Sequence, residues 1–91
     1  MIRYTVTFAQ AALQALARLW LSASDRQAIT EAGDSIDHVL QDDAHTKGQA
    51  LRVGLRQIIL GPIVFEFSVD EDDRRVTIWS ARHAGTLTNG R

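Results

Sequence analysis

Apolar and polar positions alternate from the start of the chain. Ile2, Tyr4, Val6 and Phe8 stand against Arg3, Thr5 and Thr7, the period of two that a half-buried strand requires. From Ala9 the period changes. Ala9, Ala12, Leu13, Leu16, Leu19 and Trp20 recur at steps of three and four, the buried stripe of a helix that places Trp20 in the core. After Leu21-Ser22-Ala23, the pair Ser24 and Gln27 has the form of a capping box and predicts a second helix starting near Asp25. Its stripe is Ile29, Ala32, Ile36, Val39 and Leu40, and it ends near Gln41.

Residues 42–48 are polar, aperiodic and end in a glycine, so they form a loop. Leu51 to Leu60 then reads as one strand, closed by the turn dipeptide Gly61-Pro62. In the next strand Ile63, Phe65, Phe67 and Val69 share a face. The acidic run Asp70 to Asp73 links it to a last strand, Arg74 to Arg82, in which Val76, Ile78 and Ser80 alternate with Thr77, Trp79 and Ala81. The expected fold is α+β: an N-terminal strand, a helical hairpin, then a three-stranded antiparallel meander, giving one small twisted sheet with the helices on one face. Residues 1–84 form a single domain on this reading, and residues 85–91 a frayed tail. If Trp79 points away from the helices, it marks a partner surface.

Composition narrows the function classes. With 91 residues there is room for one core, and 45% hydrophobic against 23% charged residues describes a chain that folds. Without cysteine there is no disulfide framework, zinc ribbon or thiol nucleophile. No apolar run is long enough to span a bilayer and the first residues do not read as a signal peptide, so a cytoplasmic protein with no membrane contact is expected. The formal net charge is −1, from 10 Lys+Arg and 11 Asp+Glu, which speaks against a general nucleic-acid binder. That total hides an asymmetry. Outside the acidic turn, residues 48–91 hold six arginines (Arg52, Arg56, Arg74, Arg75, Arg82, Arg91) against the single acid Glu66, a local basic surface. His38, Asp42, Asp43 and His45 include metal-ligand types, but their ordinary reading is a solvated helix end, and no metal or other cofactor is expected.

Three features together resemble a known family: the Tyr-x-Val strand running straight into an Ala/Leu-rich helix, the Gly61-Pro62 turn into Ile63-Val64-Phe65-Glu66-Phe67-Ser68-Val69, and the final Val76-Thr77-Ile78-Trp79-Ser80-Ala81-Arg82-His83. In length and element order the chain resembles the RelE/ParE superfamily of type II toxin–antitoxin toxins over residues 2–84. That resemblance implies a compact cytoplasmic toxin neutralised by a cognate antitoxin, whose target is either mRNA in the ribosome or DNA gyrase. It leaves open whether the free protein forms a homodimer.

RNA cleavage through the 2′-hydroxyl needs a base, a cation for the phosphate and an acid for the leaving oxygen. By the resemblance, His83, Arg82 and Arg56 take the catalytic roles, with His83 as acid or base and Arg82 as phosphate clamp. Lys47, Arg52 and Arg75 contact RNA. Where RNA-cleaving members carry an arginine after the turn, this chain has Ile63, a departure that admits a non-enzymatic gyrase inhibitor or a binding module without toxicity.

Overall fold

The computed structural model describes residues 2–84; the tail expected at 85–91 lies outside them. The elements run β1 (Thr5–Phe8), α1 (Gln10–Ser22), α2 (Arg26–Gln41), a 3₁₀ turn (Ala44–Thr46), β2 (Gln49–Arg52), β3 (Leu55–Leu60), β4 (Ile63–Asp70) and β5 (Arg75–His83). They form one five-stranded sheet in the order β1-β5-β4-β3-β2. β1 lies parallel to β5, and every other pairing is antiparallel. The expected α+β architecture is present, with one strand more in the meander than the pattern suggested.

That strand comes from a turn the pattern hides. Val53 continues the apolar run of Leu51 to Leu60, yet it sits at a hairpin tip, fully exposed, beside Gly54 at φ 80°. Glycine meets that backbone angle without the Cβ clash that other residues suffer. The run therefore folds back as β2 and β3, with Ala50 opposite Arg56 and Arg52 opposite Leu55, leaving Leu51 as a bulge.

The first strand is shorter than its alternation. Residues 2–4 leave the sheet and pair with the end of α2 instead: Tyr4 N–H donates to Gln41 O at 2.7 Å, Asp43 N–H to Ile2 O at 2.7 Å, and Ile2 N–H to the Asp43 carboxylate at 2.7 Å. Arg3 and Asp42 form the accompanying bridge, with an Nε–Oδ1 ion pair at 2.9 Å that is not aligned as a hydrogen bond.

Side chains finish one end of each helix. Asp25, rather than Ser24, caps α2, accepting from Ala28 N–H at 3.1 Å. Arg26 closes α1, donating to Trp20 O at 3.0 Å and Leu21 O at 3.2 Å, where the last carbonyls of a helix lack intrahelical partners. Its guanidinium also lies 4.5 Å from the Trp20 ring centre. Trp20 is 40% exposed and Leu13 52% exposed, outside the core that their stripe predicted. Small Ala12 is the α1 residue buried outright, whereas α2 buries Ile29, Ala32, Ile36 and Leu40 as expected. These pack with Tyr4, Ala44, Ile63, Phe65, Phe67, Val76, Ile78 and Ala81 into a single core.

The face of β5 changes partway. Phe67 pairs with Ile78 and Glu66 with Ser80, so Trp79 is an unpaired bulge residue. A bulge shifts the alternation by one. Val76 and Ile78 face the helices before it and Ala81 after it, in place of the Ser80 that simple alternation selects. Ser80 and Arg82 are thereby turned to the open face of the sheet.

Candidate functional site

Register decides which of the six expected site residues meet. Arg82 pairs with Val64 and His83 with Ile63, so the two lie on opposite faces of the sheet. Arg82, on the open face, donates from Nη1 to Glu66 Oε2 at 2.8 Å, with both side chains about two-thirds or more buried. The expected phosphate clamp is thus already neutralised by a carboxylate. His83 is exposed on the helix side, at the strand end that Ala84 N–H closes by donating to Pro62 O at 2.7 Å.

Arg56 shares the helix-side face but pairs with Phe67. From Phe67 to Ile63, the partner of His83, is four residues of β4, roughly 13 Å along the strand, with two further strand spacings across. The expected catalytic trio therefore does not converge. Arg75 is exposed at the start of β5, opposite Asp70 and beside Thr5.

The structure gathers a different set. A cleft of about 380 Å³ opens at the β2–β3 hairpin between His45, Arg52, Arg56, Val69 and Glu71, floored by Ala50 and bounded by Val53-Gly54. Its walls follow from local backbone. Gly48, at φ 67°, enters β2 so close to the carbonyl of Gln57 that a Cβ there would collide with it. Arg56 is then fixed on this loop, donating from Nε to Lys47 O at 2.8 Å and from Nη2 to Gly48 O at 3.3 Å. Both acceptors are neutral carbonyls, so the guanidinium keeps its full charge. Arg52 and Lys47 have no side-chain hydrogen bond or ion pair among the described residues. Among the lining residues, Arg52 and Arg56 stand against one acid, Glu71.

His45 completes the cleft and carries the least obvious part of its geometry. Its Nδ1 is 3.0 Å from the hydroxyl of Tyr4, a side chain only 5% exposed in the core, and the rings lie 6.1 Å apart at 47°. The turn bearing His45 is anchored by Asp43, in the left-handed region at φ 53°. The Asp43 carboxyl is held below its ordinary value by the Ile2 N–H bond, against the opposing cost of desolvation, with smaller help from the charges of His45 and Lys47. No spacing in the sequence foretells the Tyr4–His45 pair, since 41 positions separate its members.

The residues that looked like metal ligands are dispersed. Asp42 faces Arg3, Asp43 binds Ile2, His45 binds Tyr4, and His38 lines a separate acidic hollow with Asp34 and Asp37 beside β1. Among the described residues, no group of three or more His, Cys, Asp or Glu side chains is placed to hold a metal. No helix among them is long and apolar enough to cross a membrane.

The open face has another character. Trp79 points outward, half exposed, with its indole N–H donating to Ser68 Oγ at 2.8 Å. Ile59 is 56% exposed on the same face. Arg82 is paired there with Glu66, and Arg75 stands across from Asp70 in register without an ion pair among the described residues.

No protein-family model matches the chain, and no curated protein matches it in sequence. Solved structures do match in shape. A chain of the RelBE2 toxin–antitoxin complex of Mycobacterium tuberculosis aligns with a TM-score of 0.76 at 21% identity, over 91% of this chain and 93% of that one. A chain of the chromosomal ParDE system of Pseudomonas aeruginosa gives 0.65 at 16% identity, over 91% and 98%. The isolated RelE toxin of Escherichia coli gives 0.61 at 13% identity, over 94% and 93%. Element order, a sheet with its helices on one face and alignment along nearly the whole length of these chains make this the RelE/ParE toxin fold.

Proposed function

We propose that the protein is the toxin of a type II toxin–antitoxin module and inhibits translation by acting on RNA through the cleft at the β2–β3 hairpin. The observation that carries this reading is the cleft itself. Arg56 is held by two backbone carbonyls, and Arg52, with no ion pair among the described residues, lines the same cleft. A cation fixed in advance stabilises charge that develops on a phosphate without reorganising during the reaction. The fold supports the toxin part of the reading, because the matched structures are of RelE and ParE toxins or their complexes. A cognate antitoxin in the same cytoplasm is the implied partner.

The test is controlled induction in a bacterial host, following incorporation of labelled amino acids and the DNA-damage response. Arrest of translation that is lost in a folded Arg52→Ala/Arg56→Ala variant supports the reading. A second reading, inhibition of gyrase by protein binding, is favoured by Ile63, which is fully buried where RNA-cleaving relatives place an arginine. It predicts a DNA-damage response, with translation unaffected at early times and both arginines dispensable.

A further inference from the structure

We infer that His45 is the proton-transferring group of the cleft and that Tyr4 is its positioning residue; this rests on the RNA reading above. The geometry is that of a held imidazole. Nδ1 is engaged by the buried Tyr4 hydroxyl at 3.0 Å, which leaves Nε2 as the ring nitrogen for the cleft that His45 lines with Arg52 and Arg56. A hydroxyl both donates and accepts. Tyr4 therefore serves both charge states of the ring, donating to Nδ1 when His45 is neutral with its proton on Nε2, and accepting from Nδ1–H when the lone pair is on Nε2 or the ring is protonated.

Its support is rigid. The 3₁₀ turn hangs from Asp43, whose carboxylate and N–H both bind Ile2, while Thr46 N–H and Oγ1 donate to Asp43 O at 2.9 and 2.8 Å. The same N-terminal segment, residues 2–4, thus fixes both the turn and the tyrosine. A histidine held by a second group in a cleft it shares with two arginines suits general acid–base catalysis on a phosphodiester.

The step is internal transesterification. The RNA 2′-oxygen bonds to the adjacent phosphorus as Nε2 of His45 takes its proton, and the P–O5′ bond breaks with its electron pair on the 5′-oxygen. That oxygen takes a proton from water. The products are a 2′,3′-cyclic phosphate and a 5′-hydroxyl end, with Arg52 and Arg56 offsetting the charge on phosphorus.

The experiment uses purified full-length protein with a 5′-labelled single-stranded RNA, free and as the message on programmed ribosomes. His45→Ala is expected to cleave about 100-fold or more slowly than wild type, and added imidazole to restore part of that rate while restoring none to Arg56→Ala. Tyr4→Phe, which keeps the buried ring, is expected to lower the cleavage rate with RNA affinity unchanged. His45→Gln, which retains a hydrogen-bonding partner for Tyr4, serves as the fold-preserving control and is expected to be as slow as His45→Ala. If wild type cleaves and His45→Gln cleaves equally well, or imidazole rescues nothing, the inference falls and the RNA reading stands. If wild type cleaves neither substrate, the RNA reading falls and takes the inference with it.

Discussion

The two exposed surfaces of the sheet hold similar residues and use them in opposite ways. On the open face the one ion pair among the described residues joins Arg82 to Glu66 at 2.8 Å, and the apolar Trp79 and Ile59 are exposed beside it. In the cleft Arg56 is tied to carbonyls, which orient it without cancelling its charge, and Arg52 is tied to nothing among the described residues. The lesson is that a count of arginines says little about an anion site. What the arginines bond to decides whether charge is left for a ligand. A neutral face with an exposed tryptophan suits a protein, and a cleft with preorganised cations suits a phosphate.

The strongest way to break this contrast is at Arg56. Arg56→Ala is expected to reduce RNA cleavage by about 100-fold or more, and Arg56→Lys to recover little of it, because a lysine lacks the planar fork that bonds Lys47 O and Gly48 O together. Single-turnover cleavage measures both. The next effect falls on the scaffold of the cleft. Gly48→Ala is expected to cost about 2 kcal/mol, from the left-handed backbone angle and the collision with Gln57, read as a lower urea midpoint.

On the open face the expected cost is smaller. Glu66→Gln should lower stability by about 1 kcal/mol or less, since the pair with Arg82 is still partly solvated, and leave cleavage unchanged. A double-mutant cycle with Arg82→Met isolates the coupling.

The smallest effect is a pH dependence. Because folding holds the Asp43 carboxyl below its ordinary value of 3.8, its ionised form favours the folded chain. That contribution is fully present above 3.8 and is lost as pH falls through the lower folded value. Wild type and Asp43→Asn should therefore differ in urea midpoint at pH 6 and converge near pH 2.

Much of the fold was legible because its periods are local. The stripe of α2 and the alternation of β4 name core residues correctly, since each depends on neighbours a few positions away. Three features were not legible for physical reasons. Val53 is apolar at a hairpin tip, so β2 and β3 read as one strand. The bulge at Trp79 reverses the face of Ser80, Ala81 and Arg82, and nothing in a run of alternating residues announces it. Trp20 lies at the surface beneath the Arg26 guanidinium and Leu13 is exposed as well, so a helical stripe overstates the core. The candidate site suffered most. Charge and the resemblance single out Arg52 and Arg56, which line one cleft, but the separation of Arg82 from His83 needs the register, and the Tyr4–His45 pair needs the fold.

The central claim is that the active surface lies at the β2–β3 hairpin and not at the end of β5. Growth after induction of Arg52→Ala/Arg56→Ala beside Arg82→Ala/His83→Ala, each checked for folding, tests it directly. The account predicts that the first variant loses the arrest caused by wild type and the second retains it. Arrest retained by the first and lost by the second would contradict it.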